Sequence, residues 1–324
     1  LESHSRNGLD WIPEAHAFAS ARMALAAVVA HSRPARIWIP HHVCSAVVDA
    51  IAWCGVEICR YPLTEQWGVP AQVELSDDEL LLCVDYFGLN GSAVDEAVGH
   101  YGKNATLVDA SQSLFRKPVL GETTIFSPRK FVGVPDGGLV LTTMDLAEVE
   151  PENPHESINR CMHLLLRASG KVTEGYSAFL AAESSLQTCK PAGMSGLTRL
   201  MLDNVDFERV ASQRVANYRL LQETLSSQGF KLRPLPPASI PLCFPVFDVD
   251  APKIRKHLIQ RGIFTPTYWS ECEPPASDPV ARSATSDMAR LKWPGWWTIY
   301  WVWRNPDEYS WQVRAPPGNR GQRP

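Results

Sequence analysis

Residues 80 to 142 decide the fold: Leu80-Leu81-Leu82-Cys83-Val84, then Thr106-Leu107-Val108-Asp109, then residues 123–126, and lastly a strand over residues 138–142 that opens with Gly138. The first two are continuous apolar runs, the pattern of strands covered on both faces. A polar loop over residues 88–91 follows the first run. Ser92, three residues before Asp95, is then placed as the N-cap of a helix running to Tyr101. Working back from here, residues 56–61 and Arg36-Ile37-Trp38-Ile39 read as strands, the second stopped by Pro40. Residues 43–53 are helical with Gly55 as C′ residue. Residues 20–30 form a helix with Ser20 as N-cap. Strands alternating with helices predict an α/β domain, a largely parallel sheet with helices on both faces, over residues 15–147.

Downstream the pattern changes. Residues 148–155 are acidic and carry two prolines, which reads as a linker, and the helical period dominates from there to about residue 230. A Pro-rich stretch leads into a strand over 242–247 and a helix over 251–261. The expectation is a smaller α+β domain over residues 148–324. Six of the eleven tryptophans fall between Trp293 and Trp311. They read either as an interaction surface or as the product of an altered reading frame, with the last ten residues disordered.

Bulk composition excludes several classes. Of 324 residues, 45% are hydrophobic and 20% charged, with a formal net charge of -4, ordinary for a globular protein. That charge gives no case for nucleic acid or anionic membrane as a partner. No apolar run approaches the roughly 18 residues that cross a bilayer. The apolar stretch 23–30 follows no basic segment and does not read as a leader. Eight cysteines show no C-x-x-C pair, so they read as reduced thiols of a cytoplasmic protein. The adjacent His41 and His42 beside Cys44 do not readily share one tetrahedral centre, so no metal is expected.

Two segments put reactive side chains at strand carboxyl ends, where open α/β sheets hold ligands. They are Leu107-Val108-Asp109-Ala110-Ser111-Gln112-Ser113 and Ile125-Phe126-Ser127-Pro128-Arg129-Lys130, the latter running on to Pro135-Asp136-Gly137-Gly138. In this Asp-Ala-Ser-Gln motif, the Ser-containing strand end, the lysine and the Gly-Gly turn, the chain resembles the DegT/DnrJ/EryC1/StrS sugar aminotransferases. The resemblance takes in the Pro40 turn, Tyr86-Phe87-Gly88, Met194-Ser195 and the stretch from Arg214 to Tyr218.

The resemblance implies the aspartate-aminotransferase type I fold and pyridoxal 5'-phosphate (PLP) as cofactor, carried by Lys130 as a Schiff base. Lys130 would also move the substrate's proton. Asp109 would face the pyridine nitrogen, and Gln112 the phenolic oxygen. The phosphate would meet Ser127 and the N-terminus of the first helix at Ser20, Ala21 and Arg22. His42 would stack on the ring or act on substrate. Small-molecule substrates follow, an amino acid and a nucleotide-linked keto-sugar, and a homodimer.

The chain departs from the family at four places. Ala21 stands for a glycine, Cys44 for an aromatic, and Pro191-Ala192-Gly193 for an Asn and Arg that reach the neighbouring subunit. Ser127 also lies closer to Lys130 in sequence than in relatives. A lyase or dehydratase would use the same Asp109 and Lys130. The departures suggest a third alternative, a scaffold protein that has lost the cofactor.

Overall fold

The computed structural model describes residues 14–227, 232–246 and 251–261, with Leu9, Ile12, Thr265, residues 267–268 and residues 296–299. In chain order the elements are β1 (His16–Phe18), α1 (Ala21–Ser32), β2 (Arg36–Pro40), α2 (Ser45–Trp53), β3 (Glu57–Tyr61), β4 (Glu79–Val84) and α3 (Gly91–Tyr101). Then come β5 (Thr106–Ala110), β6 (Thr123–Phe126), β7 (Gly138–Leu141), α4 (Pro154–Ala168), α5 (Val172–Ser185), α6 (Gly196–Asp203) and α7 (Phe207–Ser226). The last are β8 (Phe244–Val246), α8 (Ala251–Gln260), β9 (Thr267–Tyr268) and β10 (Trp296–Ile299).

Seven strands form one sheet in the order β1-β7-β6-β5-β4-β2-β3. Strands β2 to β6 are mutually parallel, as the apolar runs predict. Every residue of β4, β5 and β6 is buried, so helices or loops cover both faces there. The sequence pattern did not reveal the other two strands' roles. β7 runs antiparallel to β6, and β1, a strand absent from the sequence reading, runs antiparallel to β7. β1 therefore points the same way as β6. The carboxyl ends of β1, β2, β4, β5 and β6 and the start of β7 all lie along one edge.

Local chemistry fixes where the elements begin. Ser20 Oγ accepts from Met23 N at 3.2 Å and caps α1, as expected from the sequence. α3 begins at Gly91 after Asn90, which corrects the placement of Ser92 as its cap. The Asn90 side chain makes the loop rather than the helix bond. Its Oδ1 accepts from Tyr86 N at 2.6 Å, and its Nδ2 donates to Trp67 O at 3.0 Å and Val84 O at 3.1 Å. The 242–247 strand of the sequence reading is β8, over Phe244–Val246, and Phe247 lies outside the described residues.

A second sheet has the order β8-β10-β9, all antiparallel, with Trp297 opposite Val246 and Trp296 opposite Tyr268. Part of the tryptophan-rich stretch is thus its central strand. The rest of that stretch and the last ten residues lie outside the described residues. Among the described residues no helix is long and apolar enough to cross a membrane.

Asn90 is 2% exposed and serves three backbone groups, Tyr86 N after β4, Val84 O at its end and Trp67 O in the connection before it. Asn90→Ala leaves them buried without that partner, so unfolding in urea is expected to show a loss on the order of 3 kcal/mol. An unchanged midpoint would mean that the loop does not depend on this side chain.

Candidate active site

The parallel run of β6 brings the lysine turn to the carboxyl edge of the sheet, and the antiparallel β7 re-enters the sheet from that same edge. The chain leaves β6 at Phe126, passes through Ser127 and a short 3-10 turn over Pro128–Lys130, and re-enters the sheet at Gly138. Lys130 Nζ donates to Ser111 Oγ at 2.9 Å. Ser111 lies one residue beyond β5, and its N–H donates to Asp109 Oδ1 at 2.9 Å. The amine and the carboxylate are therefore joined through one serine. Asp109 is 9% exposed, so its charge is largely withdrawn from water.

Gln112 is buried, and its Oε1 accepts from Phe87 N at 3.1 Å. Phe87 has φ 59°, a left-handed conformation that costs a bulky residue about 1–2 kcal/mol, so this bond holds a strained turn. On its other side Phe87 O accepts from Leu242 N at 2.9 Å. The segment before β8 is thereby tied to the same edge. Gly88 answers a steric demand, since a Cβ there would lie 2.8 Å from Ile240 O.

The start of α1 meets the Gly-Gly turn. Gly137 N donates to Ala19 O at 2.7 Å, and a Cβ on Gly138 would lie 2.2 Å from the Ser20 carbonyl carbon. Only a residue without a side chain fits there. Asp136, fully buried beside it, accepts from Ser157 Oγ at 2.9 Å, Ser195 Oγ at 2.7 Å and Ser195 N at 3.0 Å. These bonds join the turn to α4 and α6. The first turn of α1 leaves the backbone N–H groups of Ala21 and Arg22 without intrahelical acceptors, as at any helix start. The Arg22 guanidinium is turned to α2, pairing with Asp49 Oδ2 at 2.5 Å and reaching Gln187 O at 3.3 Å.

Ser127 is buried, and its carbonyl accepts from Lys130 N at 3.2 Å. Pro191-Ala192-Gly193 is a backbone clamp on β1. Ala19 N donates to Ala192 O at 2.8 Å and Met194 N to Ala17 O at 3.1 Å. A Cβ on Gly193 would lie 2.9 Å from Val149 O. Cys44 is exposed and stands at the N-cap of α2 without a side-chain cap bond.

Several residues of the site were not singled out from sequence. Ser111 sits inside the quoted motif, and its direction toward Lys130 needed the fold. Asp136 stands in the Gly-Gly turn, where an acidic residue beside two glycines was the available signal. Arg214 of α7 donates to Phe131 O at 2.9 Å and Leu242 O at 2.7 Å, with its guanidinium 4.7 Å from the Phe131 ring centre. It ties the residue after Lys130 to the approach to β8. Arg129 pairs with Glu183 of α5.

His42 is half-buried behind β2, and its carbonyl accepts from Tyr86 OH at 2.5 Å. Burial, then the neighbouring His41, lowers its pKa from the usual 6.5 to about 4. An unfolded chain takes up this proton near pH 6.5, the folded one only near pH 4. The stability contribution is therefore full above pH 6.5 and is lost as pH falls from there toward 4.

No family model matches the chain, and no curated protein matches it in sequence. Solved structures do. The sugar aminotransferase CalS13 from Micromonospora echinospora is 15% identical, covering 89% of this chain and 82% of that one, with a TM-score of 0.57. A DegT DnrJ EryC1 StrS aminotransferase from Brucella abortus is also 15% identical, covering 89% and 80%, with a TM-score of 0.52. NtdA from Bacillus subtilis, solved with the bound cofactor PMP, is 16% identical, covering 88% and 68%, with a TM-score of 0.52. The chain has the fold of these aminotransferases, the type I fold expected from the sequence.

His42→Gln removes the titrating ring. Its urea midpoint is expected to fall less between pH 7 and pH 5 than that of the unchanged protein. Parallel curves for the two proteins would show that the His42 proton is not linked to folding.

Proposed function

We propose that the chain is a PLP-dependent aminotransferase of the DegT/DnrJ/EryC1/StrS type, passing an amino group from an amino acid to a keto substrate. The observation that carries this reading is the linkage of Lys130 Nζ through Ser111 to Asp109 at the sheet's ligand edge. We read residues 15–147 as the cofactor-binding domain and residues 148–324 as the smaller one. A nucleotide-linked keto-sugar as amino acceptor is supported by the resemblance of the motifs and by the fold shared with sugar aminotransferases. The eight cysteines without paired spacing support a cytoplasmic setting.

The donor set fits the cofactor. Asp109 offers a carboxylate whose charge would keep the ring nitrogen protonated. Gln112 spends its carbonyl on Phe87 N, which leaves its amide N–H pair as the end to meet a phenolic oxygen. The phosphate would lie at the start of α1, with the N–H groups of Ala21 and Arg22 and the hydroxyls of Ser20 and Ser127 as donors. Arg22 takes part through its backbone, since its guanidinium serves Asp49. His42, neutral at pH 7, would give an uncharged ring face near the site.

When bound, the cofactor supplies an electron sink that makes the substrate's α-proton removable. Lys130 would hold the cofactor through Nζ and, once displaced by substrate, take and return that proton. Gln112 and the Leu242 backbone hold the Phe87 turn in place, and the amine would be aimed by its bond to Ser111.

A homodimer is supported by the surface of α4. Its Ile158, Met162 and Leu165 are 56%, 51% and 64% exposed at helical spacing, an apolar stripe of the kind that partners cover. Met162→Glu is expected to shift the sedimentation velocity profile from dimer to monomer. A dimer that survives the charge would place the interface elsewhere.

Lys130→Ala is expected to abolish the yellow band formed with PLP and the borohydride-trapped pyridoxyl group, with the circular dichroism spectrum retained. In the unchanged protein glutamate should bleach that band and release pyridoxamine phosphate on denaturation. A trapped adduct at this site in the variant would rule out Lys130 as the attachment point.

A further inference from the structure

We propose that Ser111 is the positioning residue of Lys130, and that its hydroxyl sets both where the amine points and how tightly it holds its proton. The inference rests on the reading of Lys130 as the reacting amine, while the Lys130–Ser111 hydrogen bond stands without it.

The two polar groups of Ser111 do different work. Its backbone N–H donates to Asp109 Oδ1, a bond that any residue at this position keeps. Its side-chain Oγ accepts from Lys130 Nζ at 2.9 Å. The residue is 6% exposed, so the hydroxyl stands in for water that a surface lysine would use. The chemistry of a hydroxyl suits an amine that must gain and lose a proton. It accepts from an ammonium, and it can rotate to donate to the neutral amine. A carboxylate in its place would hold the proton by a full charge and would put a second buried anion beside Asp109.

The groups around the amine come from several elements. Asp109 lies at the end of β5, joined to the amine through Ser111. Arg129, next in sequence, is paired with Glu183 of α5. Arg214 of α7 holds Phe131 O. Cys243, just before β8, is buried, and burial pushes its thiol up while the charges of Arg214 and Lys130 oppose that. Two cations, Lys130 and Arg214, thus act on one buried thiol. Among these groups the neutral Ser111 hydroxyl is the direct acceptor of the ammonium. Its removal disfavours the charged amine and lowers the pH at which Lys130 becomes a nucleophile.

The test needs no cofactor. The full chain is labelled with trace acetic anhydride between pH 6 and pH 11, and acetylation of Lys130 is read by mass spectrometry of the digested protein. Ser111→Ala is expected to move the midpoint of Lys130 labelling down by about one pH unit. Ser111→Thr, which keeps the hydroxyl, should retain the original midpoint, and a surface lysine such as Lys171 should be unmoved in all three proteins. An Ala variant with the original midpoint overturns the proposal, as does a Thr variant that shifts as far as Ala. Failure of the aminotransferase reading would show separately, as absence of PLP capture at Lys130 in a protein whose labelling still responds to residue 111.

Discussion

The close approach of Gly138 to the Ser20–Ala21 peptide is the constraint on which the candidate site depends. A Cβ at this position would lie only 2.2 Å from the Ser20 carbonyl carbon, so no other residue allows β7 to start where it does. If β7 started elsewhere, its pairing with both β6 and β1 would shift, because Phe18 sits opposite Gly138 and Phe126 opposite Leu139. The start of α1 and the lysine turn would then part company. One backbone contact therefore joins the start of α1 to the turn that carries the lysine.

The fold was legible where burial alone dictates the residue pattern. The runs over Leu80 to Val84 and Thr106 to Asp109 are central strands, and nothing polar could have stood in them without a partner. β1 was not legible, because a three-residue strand of His16, Ala17 and Phe18 has no periodicity to read. The direction of β7 was hidden for a different reason. The short apolar segment of β7 suits either direction, and the antiparallel one follows from the connection from Phe126 to Gly138, which holds only a short turn where a parallel crossover needs a helix.

The site was legible as residue types, less so as contacts. Asp109, Gln112 and Lys130 lie along the same edge, and while Asp109 is met by the nearby Ser111 N, the other two find partners elsewhere in the chain: Ser111 for the amine, Phe87 N for the glutamine carbonyl. Pairings of that kind depend on register between strands, which no single segment carries. Pro191-Ala192-Gly193 makes the same point in reverse. Read as a departure from relatives, the segment proves to have its own task, since Ala192 O and Met194 N bond to both sides of Phe18 and Gly193 is packed against the Val149 carbonyl.

Asp136 explains why α4 is built inside out. A fully buried carboxylate requires donors, and two of its three come from Ser157 of α4 and the Ser195 hydroxyl at the start of α6. Arg160, on the same side of α4, is likewise turned inward to Glu152 and to Ser185 of α5. With its inner face given to Ser157, Arg160 and His163, the helix has only its outer face left for Ile158, Met162 and Leu165. An isolated helix of that composition would bury the apolar side. Ser157 thus faces inward to serve the acid of the Gly-Gly turn and Arg160 to serve Glu152, and the apolar residues are left on the outer face. The turn that follows Lys130 and the helix that carries the exposed apolar stripe therefore meet at one buried carboxylate.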